Sequence, residues 1–143
     1  MTLFVDTSAL VKRYVDELGR DVVLAAMDAD AVWCASAVTR TEAALVLHRL
    51  AASARQADQL DQLLSTDWAT FHVVPVDERC LHRAAEIGAD FGLRLSHAIQ
   101  LASADRLPRP VQFLTLDEHQ IAAAVALDLD VVAAGLAPQA ALD

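Results

Sequence analysis

Positive charge is scarce in this chain of 143 residues. Lys12 is the only lysine, and 11 Lys and Arg stand against 20 Asp and Glu, a net charge of −9. That balance excludes a broad basic surface for nucleic acid, whose phosphates are neutralised by Lys and Arg. A nucleic-acid contact must then be local, made by a few arginines or through a bound cation. Cysteine is scarce too. Cys34 and Cys80 stand in no CxxC or metal-ligand spacing and read as reduced, partly buried thiols. Although 55% of the residues are hydrophobic, no apolar run approaches the ~20 residues of a membrane-spanning helix. The start, Met1-Thr2-Leu3-Phe4-Val5-Asp6, lacks the basic n-region of a signal peptide. The expectation is a cytoplasmic protein with no membrane partner. Repeats, low-complexity tracts and linkers are missing as well. That leaves one domain over residues 1–137 and a short tail, 138–143.

What is present is an alternation of short apolar runs and amphipathic stretches. Strands are expected at Leu3–Val5, Ala31–Ala35, Phe71–Pro75, Val111–Leu116 and Asp130–Ala134. Between them, helices are expected at Thr7–Val15, Gly19–Met27, Ala37–Ser53, Arg55–Trp68, Asp77–Phe91, Ser96–Asp105 and Asp117–Leu127. The fold class is therefore α/β: a three-layer α/β/α arrangement around a central, mostly parallel sheet.

Ligand sites in such sheets form beyond the carboxyl ends of the strands. Asp6 and Asp117 each stand at such an end, and each also opens a helix. Either could be a helix N-cap, accepting backbone N–H groups at the positive end of the dipole. Glu42 has a similar double reading, because Thr39-Arg40-Thr41-Glu42 matches the capping box. Carboxylates gathered in one crevice repel one another and stay ionised only around a cation. Oxygen ligands with open positions suit Mg²⁺ or Mn²⁺, which activate water and stabilise charge on a phosphoryl group. Phosphodiester hydrolysis is the reaction class this suggests.

These residues match a family pattern. Phe4-Val5-Asp6-Thr7-Ser8-Ala9-Leu10 resembles the opening of PIN-domain ribonucleases, especially the VapC toxins of toxin–antitoxin pairs. Thr41-Glu42-Ala43-Ala44-Leu45 is similar to the family's second acidic motif. Leu93-Arg94-Leu95-Ser96-His97-Ala98-Ile99-Gln100-Leu101-Ala102 resembles the third, and Phe113-Leu114-Thr115-Leu116-Asp117 the fourth. The resemblance implies a PIN-like sandwich and a metal-dependent endoribonuclease, the toxin of a type II pair, using Mg²⁺ or Mn²⁺. It also implies an RNA substrate, a cognate antitoxin and a homodimer. Asp6, Glu42 and Asp117 take the family's acidic, metal-holding positions. Ser8 and Thr115 fall where the family uses hydroxyls to steady the site.

His97 departs from the pattern, for an aspartate usually stands there. The formal charge of the site drops from four negatives to three. Three readings are open for His97: a nitrogen ligand suited to Mn²⁺, a general acid or base toward a phosphate oxygen, or a change that weakens catalysis. The last gives an alternative function, a weakened or inactive PIN domain acting mainly as an antitoxin- or RNA-binding module. Ser96 is expected to cap the helix, and Glu118 is a candidate substitute acid, although helical geometry turns it away from Asp117. Lys12, Arg13, Arg40 and Arg94 lie beside the motifs as candidate phosphate contacts, with salt bridges as the commoner role. Trp33 and Trp68 read as core or interface anchors. A phospho-accepting receiver-like domain would need a lysine after a late strand, and only Lys12 exists. A haloacid-dehalogenase-like phosphatase would need an acid at Ser8.

Overall fold

A computed structural model describes residues 1–133. Ala134 and the expected tail, 138–143, lie outside the described residues, as does the domain limit at 137. Five strands form one sheet: β1 (Thr2–Val5), β2 (Val32–Ser36), β3 (His72–Val74), β4 (Val111–Thr115) and β5 (Asp130–Ala133). Their order is β3-β2-β1-β4-β5, and every neighbouring pair is parallel. The expected mostly parallel sheet is thus entirely parallel among the described residues.

The strands read as continuous apolar runs because both faces of the sheet are covered. Phe4, Cys34, Val74 and Phe113 point into one core, and Leu3, Val5, Ala35 and Leu114 into the other. The first core is closed by α5 (Glu78–Phe91), α6 (Leu95–Asp105) and α7 (Ile121–Ala126). The second is closed by α1 (Thr7–Lys12), α2 (Arg20–Asp28), α3 (Thr39–Leu50) and α4 (Ala54–Trp68). Phe4 and Phe113 are register partners, and their rings stack at 5.6 Å. Trp33 and Trp68 pack on Phe71 at 5.6 and 5.3 Å, with the Trp33 Nε1–H donating to the Met27 carbonyl. Cys34 and Cys80 are buried and unbridged, and burial pushes the Cys34 thiol up.

The chain order explains where a site can form. Strands β1 to β3 step one way across the sheet, and β4 returns to the other side of β1. The crossovers therefore diverge between β1 and β4, leaving a crevice at their carboxyl ends. Asp6 follows β1 there, and Asp117 lies two residues beyond β4.

Several boundaries differ from expectation for local reasons. The first helix stops at Lys12 rather than Val15. Arg13 and Tyr14 there bond back three residues, to Leu10 and Val11, tightening the last turn. The helix expected from Asp117 to Leu127 is split, with a 3-10 turn over Glu118–Gln120 preceding α7. The Asp117 carboxylate accepts the His119 N–H, which fixes that tight turn. Gly92 ends α5 in the left-handed conformation, φ 65°, as a C-terminal glycine should.

Candidate functional site

Asp6 is the most buried carboxylate of the crevice, only 3% exposed. Its position opens α1, yet its side chain makes no cap bond. Instead Ser8 Oγ donates to Oδ2 at 2.6 Å, and Thr115 Oγ1 approaches the same oxygen at 2.9 Å. Ser8 Oγ also accepts the Leu116 N–H, and Thr115 Oγ1 accepts the Asp117 N–H. Two hydroxyls thus tie the ends of β1 and β4 together while aiming one carboxylate. Burial raises the Asp6 pKa above the usual carboxylate value, against the lowering effect of Ser8 and Thr115.

Asp117 keeps both parts of its double reading. One oxygen, Oδ1, caps the 3-10 turn through the His119 N–H at 2.9 Å, with the His119 ring 3.1 Å away. The other, Oδ2, lies 2.7 Å from His97 Nε2. The contact is a close ion-pair distance rather than a directed hydrogen bond. With Nε2 this near, Oδ2 is screened from a cation until the ring moves.

Glu42 overturns the capping-box reading. The cap residue of α3 is Val38, which places Glu42 inside the first turn with its carboxylate turned outward. Oε1 accepts from Thr7 Oγ1 at 3.0 Å and Gln100 Nε2 at 3.0 Å, and Oε2 accepts from Ser96 Oγ at 2.9 Å. Ser96 is correspondingly not the cap of α6. That helix begins one residue earlier, behind Arg94, with no side-chain cap. Its hydroxyl is drawn to the carboxylate, a stronger acceptor than water.

Gln100 is the residue that sequence reasoning missed. It is 1% exposed, and its Nε2 reaches Thr7, Thr39 and Glu42, joining α6 to α1 and α3. The nitrogen end must face Glu42, because a carbonyl there would meet a carboxylate. The signal was a buried-amide position one turn after His97 in an otherwise apolar helix. A single helix, α6, therefore serves both acids: Ser96 and Gln100 hold Glu42, and His97 holds Asp117.

Three of the four expected phosphate contacts are committed elsewhere. Arg13 Nε pairs with Asp67 at 2.8 Å and lies over the Trp33 ring, 5.2 Å from its centroid. Arg40 is held by Asp61 at 3.1 Å and Ser65 at 2.8 Å. Lys12 pairs with Glu17. Arg94 is exposed at the mouth of the crevice, in no ion pair with a described residue. Glu118 is exposed, turned away as its helical position dictates.

Compared with protein families, residues 3–135 match the model of the PIN domain. The chain belongs to the PIN domain family. No curated protein matches it. Among solved structures, this PIN domain is similar to a toxin–antitoxin complex from Klebsiella pneumoniae, at 19% identity and TM-score 0.69, covering 92% of this chain and 96% of that one. It is similar to FitAcB from Neisseria gonorrhoeae, at 19% identity and TM-score 0.71, covering 90% and 95%. A third is VapBC2 from Rickettsia felis bound to a promoter DNA fragment, at 11% identity and TM-score 0.70, covering 92% and 99%. Likeness at these identities speaks for the fold.

PIN-domain nucleases generally use divalent metals. Among the described residues, no three His, Cys, Asp or Glu side chains group closely enough to enclose an ion. Mg²⁺ does not require such a cage, for it is usually held by one or two carboxylates with water and substrate phosphate. Asp6 offers that kind of ligand: both hydroxyls land on Oδ2, and no described side-chain donor occupies Oδ1. Asp117 Oδ2 is the second, once His97 gives way. The donor set fits a two-carboxylate site with Glu42 behind it. Among the described residues, no helix is long and apolar enough to cross a membrane.

Proposed function

We propose that this PIN domain is a metal-dependent endoribonuclease, the toxin of a type II toxin–antitoxin pair, which hydrolyses RNA phosphodiester bonds. What supports this reading is that Asp6 and Asp117 follow the neighbouring parallel strands β1 and β4, while α6 carries contacts to both Glu42, through Ser96 and Gln100, and Asp117, through His97. Asp6 and Asp117 would hold Mg²⁺ or Mn²⁺, and Glu42 would orient groups from the α3 side. The cation supplies an acidified water and neutralises charge on the phosphoryl oxygens. Ser8 and Thr115 fix the Asp6 rotamer, and burial of Asp6 in a dry floor sharpens its demand for positive charge. His97 borders the same crevice, 2.7 Å from Asp117, and would act as general acid or base toward a phosphate oxygen. A cognate antitoxin and a second copy of the chain are the partners of this reading. The exposed apolar side chains of Leu45, Leu63 and Leu95 support such interfaces. The cytoplasm is the compartment it requires.

A second reading is favoured by one contact. With His97 Nε2 2.7 Å from Asp117 Oδ2, an imidazole nitrogen sits where a cation would draw on that oxygen. The domain would then be a weakened nuclease acting mainly as an antitoxin- or RNA-binding module. Cleavage of RNA by the native chain, His97→Asp and Asp6→Asn, each in Mg²⁺ and in Mn²⁺, separates the two. Equal rates for the native chain and His97→Asp, both abolished by Asp6→Asn, end the second reading. No cleavage by the native chain in either metal, with cleavage by His97→Asp, ends the first.

A further inference from the structure

Beside the acids, between the end of α5 and the start of α6, lies an open cavity of about 400 Å³. Pockets that hold small ligands run from ~300 to ~1,000 Å³. Its walls are Phe91, Gly92, Leu93, Arg94, His97 and His119. This lining is unlike the rest of the surface. The chain carries a net charge of −9, yet no carboxylate lines this cavity and three of its six residues carry nitrogen donors. Five of the ten arginines are spent internally: Arg13 on Asp67, Arg40 on Asp61, Arg83 on Asp105, Arg106 on Asp77 and Arg109 on Asp105. Among the described residues Arg94 is in no such pair, like Arg20, Arg49, Arg55 and Arg79, but it alone of the ten lines this cavity.

Two further observations suit an aromatic, anionic occupant. Phe91 is 38% exposed, an unusual place for a phenyl ring, and it borders the same space as the Arg94 guanidinium. Gly92 turns the chain between them at φ 65°, and a Cβ built on it would meet nothing within 4 Å, so the space above its backbone is open. In addition, α6 begins without a side-chain cap, leaving the first-turn N–H groups to an external acceptor.

We propose that this cavity is the subsite for the nucleotide adjoining the scissile phosphate of a single-stranded RNA, with its phosphate on Arg94 and its base on the Phe91 ring. The inference rests on the ribonuclease reading. It accounts for how so acidic a protein holds a polyanion: one local, Arg-centred contact with a stacking platform replaces a basic face. His97 and His119, both held by Asp117, join the cavity to the acids, so a strand seated here would lead its next phosphate over Asp6 and Asp117.

The test is fluorescence anisotropy with a short, labelled, mixed-sequence oligoribonucleotide on the full chain carrying Asp6→Asn, so that binding is read without cleavage. Arg94→Ala should weaken binding about tenfold and lower the slope of log affinity against log salt by about 0.7, one single-strand phosphate contact. Arg94→Lys should restore the slope. Phe91→Leu, which keeps the apolar bulk, should cost about tenfold with the slope unchanged. Arg55→Ala, an exposed arginine on α4, should change neither. If Arg94→Ala and Phe91→Leu bind as their parent does while the native chain still cleaves RNA, the subsite is overturned and the ribonuclease reading stands. If the parent binds no RNA and the native chain cleaves none in Mg²⁺ or Mn²⁺, both fall.

Discussion

The two sides of the crevice hold their acids in different ways. On the α3 side, Glu42 is wrapped by three donors, from Thr7, Ser96 and Gln100, with both oxygens engaged. On the β4 side, Asp117 meets two imidazoles, one of them at the position where the sequence resemblance leads to the expectation of an acid. Neutral hydroxyl and amide donors hold a carboxylate without adding charge, so nothing on the Glu42 side takes the place of a cation. An imidazole donor instead competes with any cation for the same oxygen. One side is built for permanence and the other for exchange. Asp6 lies between them, buried, and is the group that both sides need.

Asp6→Asn should break the comparison most completely, because it removes the shared member. RNA cleavage is expected to fall by more than ~100-fold, beyond the ~10–100-fold typical of losing a supporting group. Stability should move the other way. Burial raises the folded-state pKa of Asp6 above its unfolded value of 3.8, so its charged form opposes folding at neutral pH. That cost fades as pH falls through the folded pKa. In chelator at pH 7, Asp6→Asn should therefore melt above the native chain, and the gap should close toward acid pH. Added Mg²⁺ should raise the melting temperature of the native chain and leave the variant unmoved. A variant that melts lower at pH 7 would contradict the buried-charge account.

Next in size is Gln100→Leu, which strips the permanent side of its buried donor. Glu42 Oε1 and Thr39 Oγ1 lose a partner inside the protein, at a cost of about 1–3 kcal/mol. Cleavage should drop ~10–100-fold, while the salt dependence of RNA binding stays as it was. Urea unfolding and single-turnover cleavage measure the two effects separately. Gln100→Asn, one methylene shorter, should recover stability better than activity, since the amide no longer reaches all three partners.

How much of this was legible beforehand follows the same division. Asp6 and Asp117 could be placed because strand ends in a parallel sheet are found from apolar runs, and the run at Leu3–Val5 is unambiguous. A mostly parallel sheet followed from the alternation of strands and helices, and the strand order β3-β2-β1-β4-β5 did not. Glu42 was misjudged locally: Thr39-Arg40-Thr41-Glu42 satisfies a capping box, and only the tertiary pull of Ser96 and Gln100 turns its carboxylate outward. Ser96 was misjudged for the same reason, as a cap rather than a donor across the crevice. Gln100 lay within the third motif, but a lone amide in a helix gains a meaning only when its three partners arrive from other elements. The arginines could not be sorted at all without knowing that Asp67 and Asp61 stand opposite Arg13 and Arg40.

His97→Asp sharpens the exchangeable side rather than breaking it. Replacing a donor by an acceptor frees Asp117 Oδ2 and restores a fourth negative charge. Mg²⁺ affinity, measured by calorimetry, is expected to rise about tenfold, the lower end of what a supporting group controls. Mn²⁺, which accepts nitrogen more readily, should gain less. Equal gains for both ions would mean that His97 acts only through charge.

The smallest effect belongs to Ser96→Ala, and it tests whether the Glu42 side is as redundant as its three donors suggest. Ser96 is exposed, and its bond to Glu42 Oε2 at 2.9 Å competes with water. Removing it should cost under ~1 kcal/mol, because water replaces the lost donor. Cleavage should change by no more than a few-fold, since Thr7 and Gln100 still fix Oε1. The contrast with Gln100→Leu is the informative quantity: the same carboxylate loses one donor in each case, one wet and one dry. If Ser96→Ala proves as costly as Gln100→Leu, Glu42 is held by charge at the crevice mouth rather than by its buried amide. The Glu42 side would then be as open to exchange as the side that carries His97.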